Sequence, residues 1–260
     1  MTETVSRLAG KVALVTGSSS GAGAAIAREY SRLGAHVAIH CGSDMAAAHK
    51  IADDIRQQGN AATAFRADLR DASATRQLAL DVTAQLGPVS VLVNNAGPFS
   101  DTPFLELKES DWDGVLAVNL KAPFVLVQEL APAMMRQGWG RIVNLGATSA
   151  LVRSHSIYGL AKAALLHLTE CLALELAPSV TVNAIVPSQI ASARTDAMPV
   201  YKAAAIADTP LRRLVMEQEI AKIAARLCDT EFDFMTGRPI ILDGGRTLPR
   251  FPRLDVALEG

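Results

Sequence analysis

A chain of 260 residues, half of them hydrophobic and a fifth charged, has enough apolar content for one large core and too little charge to stay disordered. Its 25 basic and 26 acidic residues nearly balance, at a net charge of −1; that leaves no basic footprint for nucleic acid or for a membrane surface. Three cysteines, Cys41, Cys171 and Cys228, are odd in number and far apart, which fits neither a disulfide framework nor a metal site and reads as free thiols in a reducing compartment.

Met1 to Gly10 is polar and mixed in charge, unlike a secretory signal, and no apolar run approaches the ~20 residues of a membrane span. The expectation is a cytoplasmic protein with one domain over residues 1–248 and a short tail, 249–260. In chain order, Lys11–Thr16 is a short apolar run of the kind a buried parallel strand shows. It enters the turn Gly17-Ser18-Ser19-Ser20-Gly21-Ala22-Gly23, after which Ala24–Tyr30 has helical character up to a stop at Gly34. Strand, glycine-rich turn, helix is the context a dinucleotide fingerprint requires. Gly17 takes a turn conformation closed to other residues, Gly21 and Gly23 let the backbone approach a pyrophosphate, and the helix N-terminus offers it free N–H groups.

The second strand, His36–His40, leads to Cys41-Gly42-Ser43-Asp44. An acid just past this strand would bind a ribose 2′-hydroxyl and select NAD. The place near Cys41 holds none, and Asp44 comes late and reads as an N-cap. The missing carboxylate favours NADP(H) over NAD(H). The rhythm continues with a helix over 46–58, a strand over Ala62–Ala67 ending at Asp68-Leu69, a helix over 73–86 and a strand over Val89–Val93 ending at Asn94-Asn95-Ala96-Gly97. Strands alternating with helices predict a doubly wound parallel sheet with helices on both faces. Ligands in such sheets bind at the carboxyl ends of the strands, where Asp68, Asn94 and Gly97 fall.

Downstream, Ser156-Ile157-Tyr158-Gly159-Leu160-Ala161-Lys162 opens a long helix. Residues four apart share a helix face, so Tyr158 and Lys162 point the same way. An ammonium beside a phenol lowers its pKa from near 10, which suits the phenol to acid and base work.

With Thr16-Gly17-x-x-x-Gly21-x-Gly23, Asn94-Asn95-Ala96-Gly97 and Tyr158-x-x-x-Lys162 in order, the chain resembles a classical short-chain dehydrogenase/reductase over nearly its whole length, of the 3-oxoacyl-carrier-protein reductase kind. The resemblance implies a single Rossmann-fold domain with a seven-stranded parallel sheet. It also implies hydride transfer between a nicotinamide and a carbonyl or alcohol carbon of a small molecule. Tyr158 would be the acid/base, Lys162 would hold the nicotinamide ribose, and Asn119 would hold a water in a proton relay. The cofactor would lie against Gly17, Ser19, Ser20, Gly21, Gly23, Ser43, Asp68, Leu69, Asn95, Ala96, Gly97, Pro187, Ile190 and Ser192, besides Tyr158 and Lys162. A mobile substrate lid is expected over about 190–215, and a homotetramer or homodimer built on the long helices 110–136 and 158–176. Trp112 and Trp139 read as packing residues, Phe99 as a residue at the pocket mouth or in a structural role, His155 as a residue at the pocket wall, and Arg250–Leu254 as a segment packing on a neighbouring subunit.

One position departs. The family's catalytic serine aligns with Ala147, after the strand Arg141–Leu145. Thr148 or Ser149 is expected to take its role. Tyr158 acting alone, a protein that binds nucleotide without turnover, and a dehydration or enone reduction that leans less on that hydroxyl are the alternatives.

Overall fold

β1 (Val12–Val15) is buried along its whole length. Ala13 and Val15 enter the core on one face of the sheet, and Val12 and Leu14 the core on the other. This is the alternation of a strand covered on both faces, and each aliphatic side chain so buried contributes about 1.5–3 kcal/mol. The computed structural model describes residues 7–152 and 156–248; His155 and the tail segment Arg250–Leu254 lie outside them. β1 is followed by α1 (Gly21–Arg32), β2 (His36–Cys41), α2 (Met45–Gln57), β3 (Ala62–Arg66), α3 (Ala72–Leu86) and β4 (Val89–Asn94). Then come α4 (Glu109–Leu116), α5 (Ala122–Arg136), β5 (Gly140–Leu145), α6 (Ile157–Leu176) and β6 (Val180–Pro187). The last part holds β7 (Ile190–Ala191), α7 (Ala193–Asp196), α8 (Pro199–Asp208), β8 (Val215–Met216), α9 (Glu217–Arg226) and β9 (Pro239–Leu242).

Seven strands pair in the order β3-β2-β1-β4-β5-β6-β9, every pair parallel. Ile26 of α1, Ile51 of α2 and Ile220 of α9 share one core; Leu78 of α3, Leu126 of α5 and Leu172 of α6 share the other. This is the expected doubly wound fold. The strand order reverses between β1 and β4, which opens a crevice at the carboxyl ends of the strands. Local chemistry sets the helix ends. The Ala47 N–H donates to the Asp44 carboxylate at 2.9 Å and the Ser73 N–H to Asp71 at 2.8 Å, so Asp44 is the N-cap its sequence position predicts.

Two expectations need correction. The helix predicted as one piece over 110–136 opens into a π-helical turn at Ala117–Lys121. Pro123 has no N–H to give the Asn119 carbonyl, and the Asn119 side-chain amide donates to the Val115 carbonyl at 3.0 Å, so the regular ladder breaks there. Also, Glu109–Arg136 and Ile157–Leu176 are long and apolar enough for a membrane span, at a mean hydropathy of 1.3 each. They reach that value because they supply one core of the sheet, through Leu126, Val127, Leu130 and Leu172.

The predicted lid region carries α7 and α8, and its ends are pinned together where β7 pairs with β8. Trp139 is packed, with Lys11 and Arg141 each 4.5 Å from its ring centre. Trp112 on α4 is packed less completely, with 39% of its surface exposed.

Candidate active site

The carboxyl ends of β1, β4, β5 and β6 surround a cleft of about 760 Å³. Its walls include Gly17, Ser20, Gly21, Gly23, Ser43, Asp68, Leu69, Asn95, Ala96, Gly97, Tyr158, Lys162, Pro187, Ile190 and Ser192. The structure therefore gathers nearly every residue the sequence nominated for cofactor contact. Ser19 is the exception among them and is not part of the wall.

The glycine turn is held from behind by a polar network. The Ser18 hydroxyl donates to the Val15 carbonyl at 2.7 Å and accepts from the His40 N–H at 3.0 Å. The Gly17 N–H donates to His40 Nδ1 at 3.0 Å, while Nε2 lies 3.1 Å from the Ala67 carbonyl. Burial pushes the imidazole down to about 4, so His40 is neutral and ties the turn to the end of β3. The Asn95 amide donates to the carbonyls of Thr16 and Gly17 at 2.9 and 3.0 Å. At Gly23 a Cβ would lie 2.4 Å from the Gly17 carbonyl oxygen, so only glycine lets the helix close on its turn. Gly21 has φ +58° and faces open space except for Glu217. Ser20 caps α1 without a side-chain hydrogen bond, which leaves the first N–H groups of the helix turned toward the cleft without a side-chain acceptor. A pyrophosphate fits this cradle.

At the far end, Asp68 is held by Arg70. The Arg70 N–H and Nε donate to it at 3.0 Å and Nη2 at 2.6 Å. These bonds hold the carboxyl down at about 2. Gly42 and Ser43 form the neighbouring wall.

At the near end, Ser156 caps α6 by accepting from the Gly159 N–H at 3.0 Å, which fixes where Tyr158 and Lys162 stand. Lys162 Nζ is 5.5 Å from the Tyr158 ring centre and donates to the Leu145 carbonyl at 2.6 Å. Both Lys162 Nζ and Asn119 Oδ1 crowd Gly97, at 3.2 and 2.3 Å from the place its Cβ would occupy. Asn119 Oδ1 is buried and accepts from no described residue, an orphan acceptor on the lysine side of the cleft that suits a relay water.

The expected lowering of the tyrosine pKa by the lysine is not found. Burial dominates and pushes the Tyr158 phenol up to about 12, with Arg194 pulling the other way. Burial also pushes Lys162 down to about 7, so the lysine sheds much of the charge that would have done the lowering. Tyr158 thus holds its proton at neutral pH.

The folded lysine lies below the ordinary value near 10.4. Between about pH 7 and pH 10 the unfolded chain keeps a proton that the folded chain has lost, so stability rises with pH across that window. Below it both states are charged and the burial cost is complete. Lys162→Met is expected to raise the melting temperature of the cofactor-free protein, most below pH 7 and progressively less toward pH 10. Calorimetry across that range checks it; a variant that melts below the wild type at low pH contradicts it.

Ala147 lines the cleft with Leu145 and Gly146. Thr148 and Ser149, expected to replace the missing serine, are not part of that wall; they lie in a short 3-10 turn, Thr148–Ala150, and the Ser149 hydroxyl is buried with no partner among the described residues. Four titratable wall residues were not foreseen: His40, Arg70, Arg194 and Glu217. A histidine inside an otherwise apolar strand was the available signal for the first. The other three reach the cleft from separate segments and carried no local pattern.

The short chain dehydrogenase family profile matches residues 11–200. The 3-oxoacyl-[acyl-carrier-protein] reductase FabG of Staphylococcus aureus is 35% identical over 239 residues, covering 90% of this chain and 97% of that protein. A gluconate 5-dehydrogenase from Burkholderia cenocepacia, solved with NADP and tartrate, superposes with a TM-score of 0.86 at 28% identity, over 94% of this chain and 98% of the other. A blue fluorescent protein from a metagenomic library, solved with NADPH, gives 0.87 at 34% identity, over 93% and 99%.

Proposed function

The chain belongs to the short-chain dehydrogenase family and is a nicotinamide-dependent oxidoreductase acting on a small molecule; we propose that it is an NADP(H)-dependent reductase of ketones, with 3-oxoacyl thioesters among the candidate substrates. The observation that carries this reading is the placing of Tyr158 and Lys162 in one cleft with the glycine turn. The bound cofactor supplies the hydride that a carbonyl carbon accepts. Tyr158, protonated at neutral pH, gives its phenolic proton to the carbonyl oxygen. Lys162 orients the ribose and, with Asn119 and a water, returns the proton to Tyr158. Gly17, Gly21 and Gly23 with the N-terminus of α1 take the pyrophosphate, and Ser20, Ser43, Asp68, Leu69, Asn95, Ala96, Gly97, Pro187, Ile190 and Ser192 line the rest of the cofactor's course. Ser19 lies within the turn but is not part of the wall.

With no hydroxyl on the wall at Ala147, Tyr158 is the donor to the carbonyl oxygen in this reading. The same alanine favours a second reading, reduction of an enone, which leans less on that hydroxyl. Incubating the purified protein with NADPH or NADH and a panel of ketones, 3-oxoacyl thioesters and enones, with product analysis, separates the two. Ketone turnover supports the first reading. Enone turnover alone supports the second, and tight NADPH binding without turnover removes both.

NADP(H) preference rests on the wall after β2, which offers Gly42 and Ser43 and no free carboxylate. A side chain at Gly42 would meet nothing within 4 Å. Gly42→Asp is expected to weaken NADPH binding by about tenfold or more through repulsion of the 2′-phosphate, with a smaller effect on NADH. Fluorescence titration of both cofactors measures it, and equal losses for the two would remove the assignment.

The free thiols Cys41, Cys171 and Cys228 support a cytoplasmic setting. Exposed Trp112, Phe124, Leu160 and Leu174 on α4, α5 and α6 support a homodimer or homotetramer through those helices.

A further inference from the structure

Arg194 extends into the cleft from α7. Its guanidinium carbon stands 4.7 Å above the centre of the Phe99 ring. Phe99 in turn meets the Tyr158 ring edge to face, at 5.2 Å between centres and 64° between planes. The three side chains form a stack that begins at the proposed proton donor and ends in a fixed positive charge. No carboxylate among the described residues forms an ion pair with Arg194, although ten other described arginines are paired in this way.

The charges around the cleft are distributed unevenly. Its two acidic wall residues are Asp68 and Glu217. Asp68 is bound to Arg70 at the far end, and Glu217 lies against Gly21, 3.7 Å from where a Cβ would be. Around Tyr158 the charged wall residues are Lys162 and Arg194, both basic. Lys162 is buried and committed to the Leu145 carbonyl. Arg194 retains its donors, in a planar fork whose geometry matches a carboxylate.

Resting on the ketone-reductase reading, we propose that the substrate carries a carboxylate a few bonds from its reacting carbonyl, and that Arg194 is the residue that selects it. A carbonyl oxygen placed at the Tyr158 hydroxyl would leave the remainder of a short oxo acid running past the edge of Phe99, with its carboxylate at the open side of the guanidinium fork, because the guanidinium already covers the ring face. Phe99 holds that guanidinium in place through its ring face, which lowers the entropy cost of the pairing. A neutral ester of the same length would fill the same space while leaving the guanidinium without an anion.

The test uses the full-length protein saturated with NADP⁺ and a short series of methyl-ketone carboxylates differing by one methylene, each paired with its methyl ester. Calorimetry gives the acid-to-ester affinity ratio for the wild type, Arg194→Lys and Arg194→Gln, and steady-state kinetics with NADPH gives the same ratio in kcat/KM. The wild type is expected to favour at least one acid over its ester by about tenfold or more. Arg194→Gln should bring the ratio to about one, and Arg194→Lys should retain part of it. The ratio is read because Arg194 also acts on Tyr158, which moves acid and ester together. A ratio near one in the wild type, or a ratio unchanged in Arg194→Gln, overturns the proposal. So does a loss of NADPH affinity in Arg194→Gln with the acid preference intact, which would assign the residue to the pyrophosphate. If no ketone turns over, the ketone-reductase reading fails, while the binding ratio still decides whether Arg194 selects an anion.

Discussion

Tyr158→Phe is expected to lower kcat/KM for NADPH-dependent ketone reduction by about a thousandfold, within the range that a positioned general acid supplies, and to leave NADPH affinity nearly unchanged. The variant removes one oxygen and keeps the ring. The edge-to-face contact with Phe99 and the packing around the mostly buried side chain therefore persist. The phenol donates no hydrogen bond to a described side chain or carbonyl in the structure, so its removal leaves no buried partner unsatisfied and costs little stability. Burial keeps the phenol protonated up to about 12, so Tyr158 carries a proton at neutral pH that it can deliver to a carbonyl oxygen on this wall. Rates with NADPH and a ketone, together with NADPH fluorescence titration and a thermal melt, separate chemistry from binding and folding. Retention of more than about a tenth of the wild-type rate would mean that the proton comes from elsewhere.

Gly23→Ala is expected to produce a large loss of cofactor binding from the addition of a single methyl group. The added Cβ would stand 2.4 Å from the Gly17 carbonyl oxygen, 2.5 Å from the Asn95 amide nitrogen and 2.9 Å from Ser18 Cα. Two of these three are backbone atoms of the turn itself. Asn95 is tied to Thr16 and Gly17 by two hydrogen bonds and cannot swing aside without releasing both. Relief therefore comes only from moving α1 away from the turn, at about 1–3 kcal/mol. That movement carries away the N–H groups a pyrophosphate would use, and NADPH affinity should fall about a hundredfold. Gly10→Ala is the control. Gly10 has φ +71° and nothing within 4 Å of its would-be Cβ, so it should lose about 1 kcal/mol from backbone strain alone and bind NADPH normally. Denaturation and titration of both variants provide the check; equal affinity in Gly23→Ala and wild type would mean that the turn does not hold the phosphates.

The elements were legible because their causes are local. β1 reads as apolar because both of its faces are covered, and α2 and α3 start where Asp44 and Asp71 accept from the backbone. Gly34, Gly59 and Gly87 end their helices at positive φ. The π turn at Ala117–Lys121 was not legible, although its two causes, Asn119 and Pro123, were in view. Whether an asparagine side chain takes a backbone acceptor depends on its rotamer and on the Pro98 carbonyl, its second acceptor at 3.1 Å, which belongs to another segment. The exchange of Ala147 for a hydroxyl was visible as a departure from a motif. That Thr148 and Ser149 stay out of the wall was not, because the short helical turn that follows the strand decides it.

The sequence by itself determined the alternation of strands and helices, the glycine turn, and the shared helix face of Tyr158 and Lys162. Each of these depends on spacing along one segment. The tertiary structure alone decided the charge state of the site and the character of its substrate end. Burial, which raises Tyr158 and lowers Lys162, comes from elements far apart in the chain. Arg194, Phe99 and Tyr158 become neighbours only where the segments after β4 and β6 fold over the start of α6, and the energy of a charge depends on what surrounds it in space rather than on what precedes it in sequence.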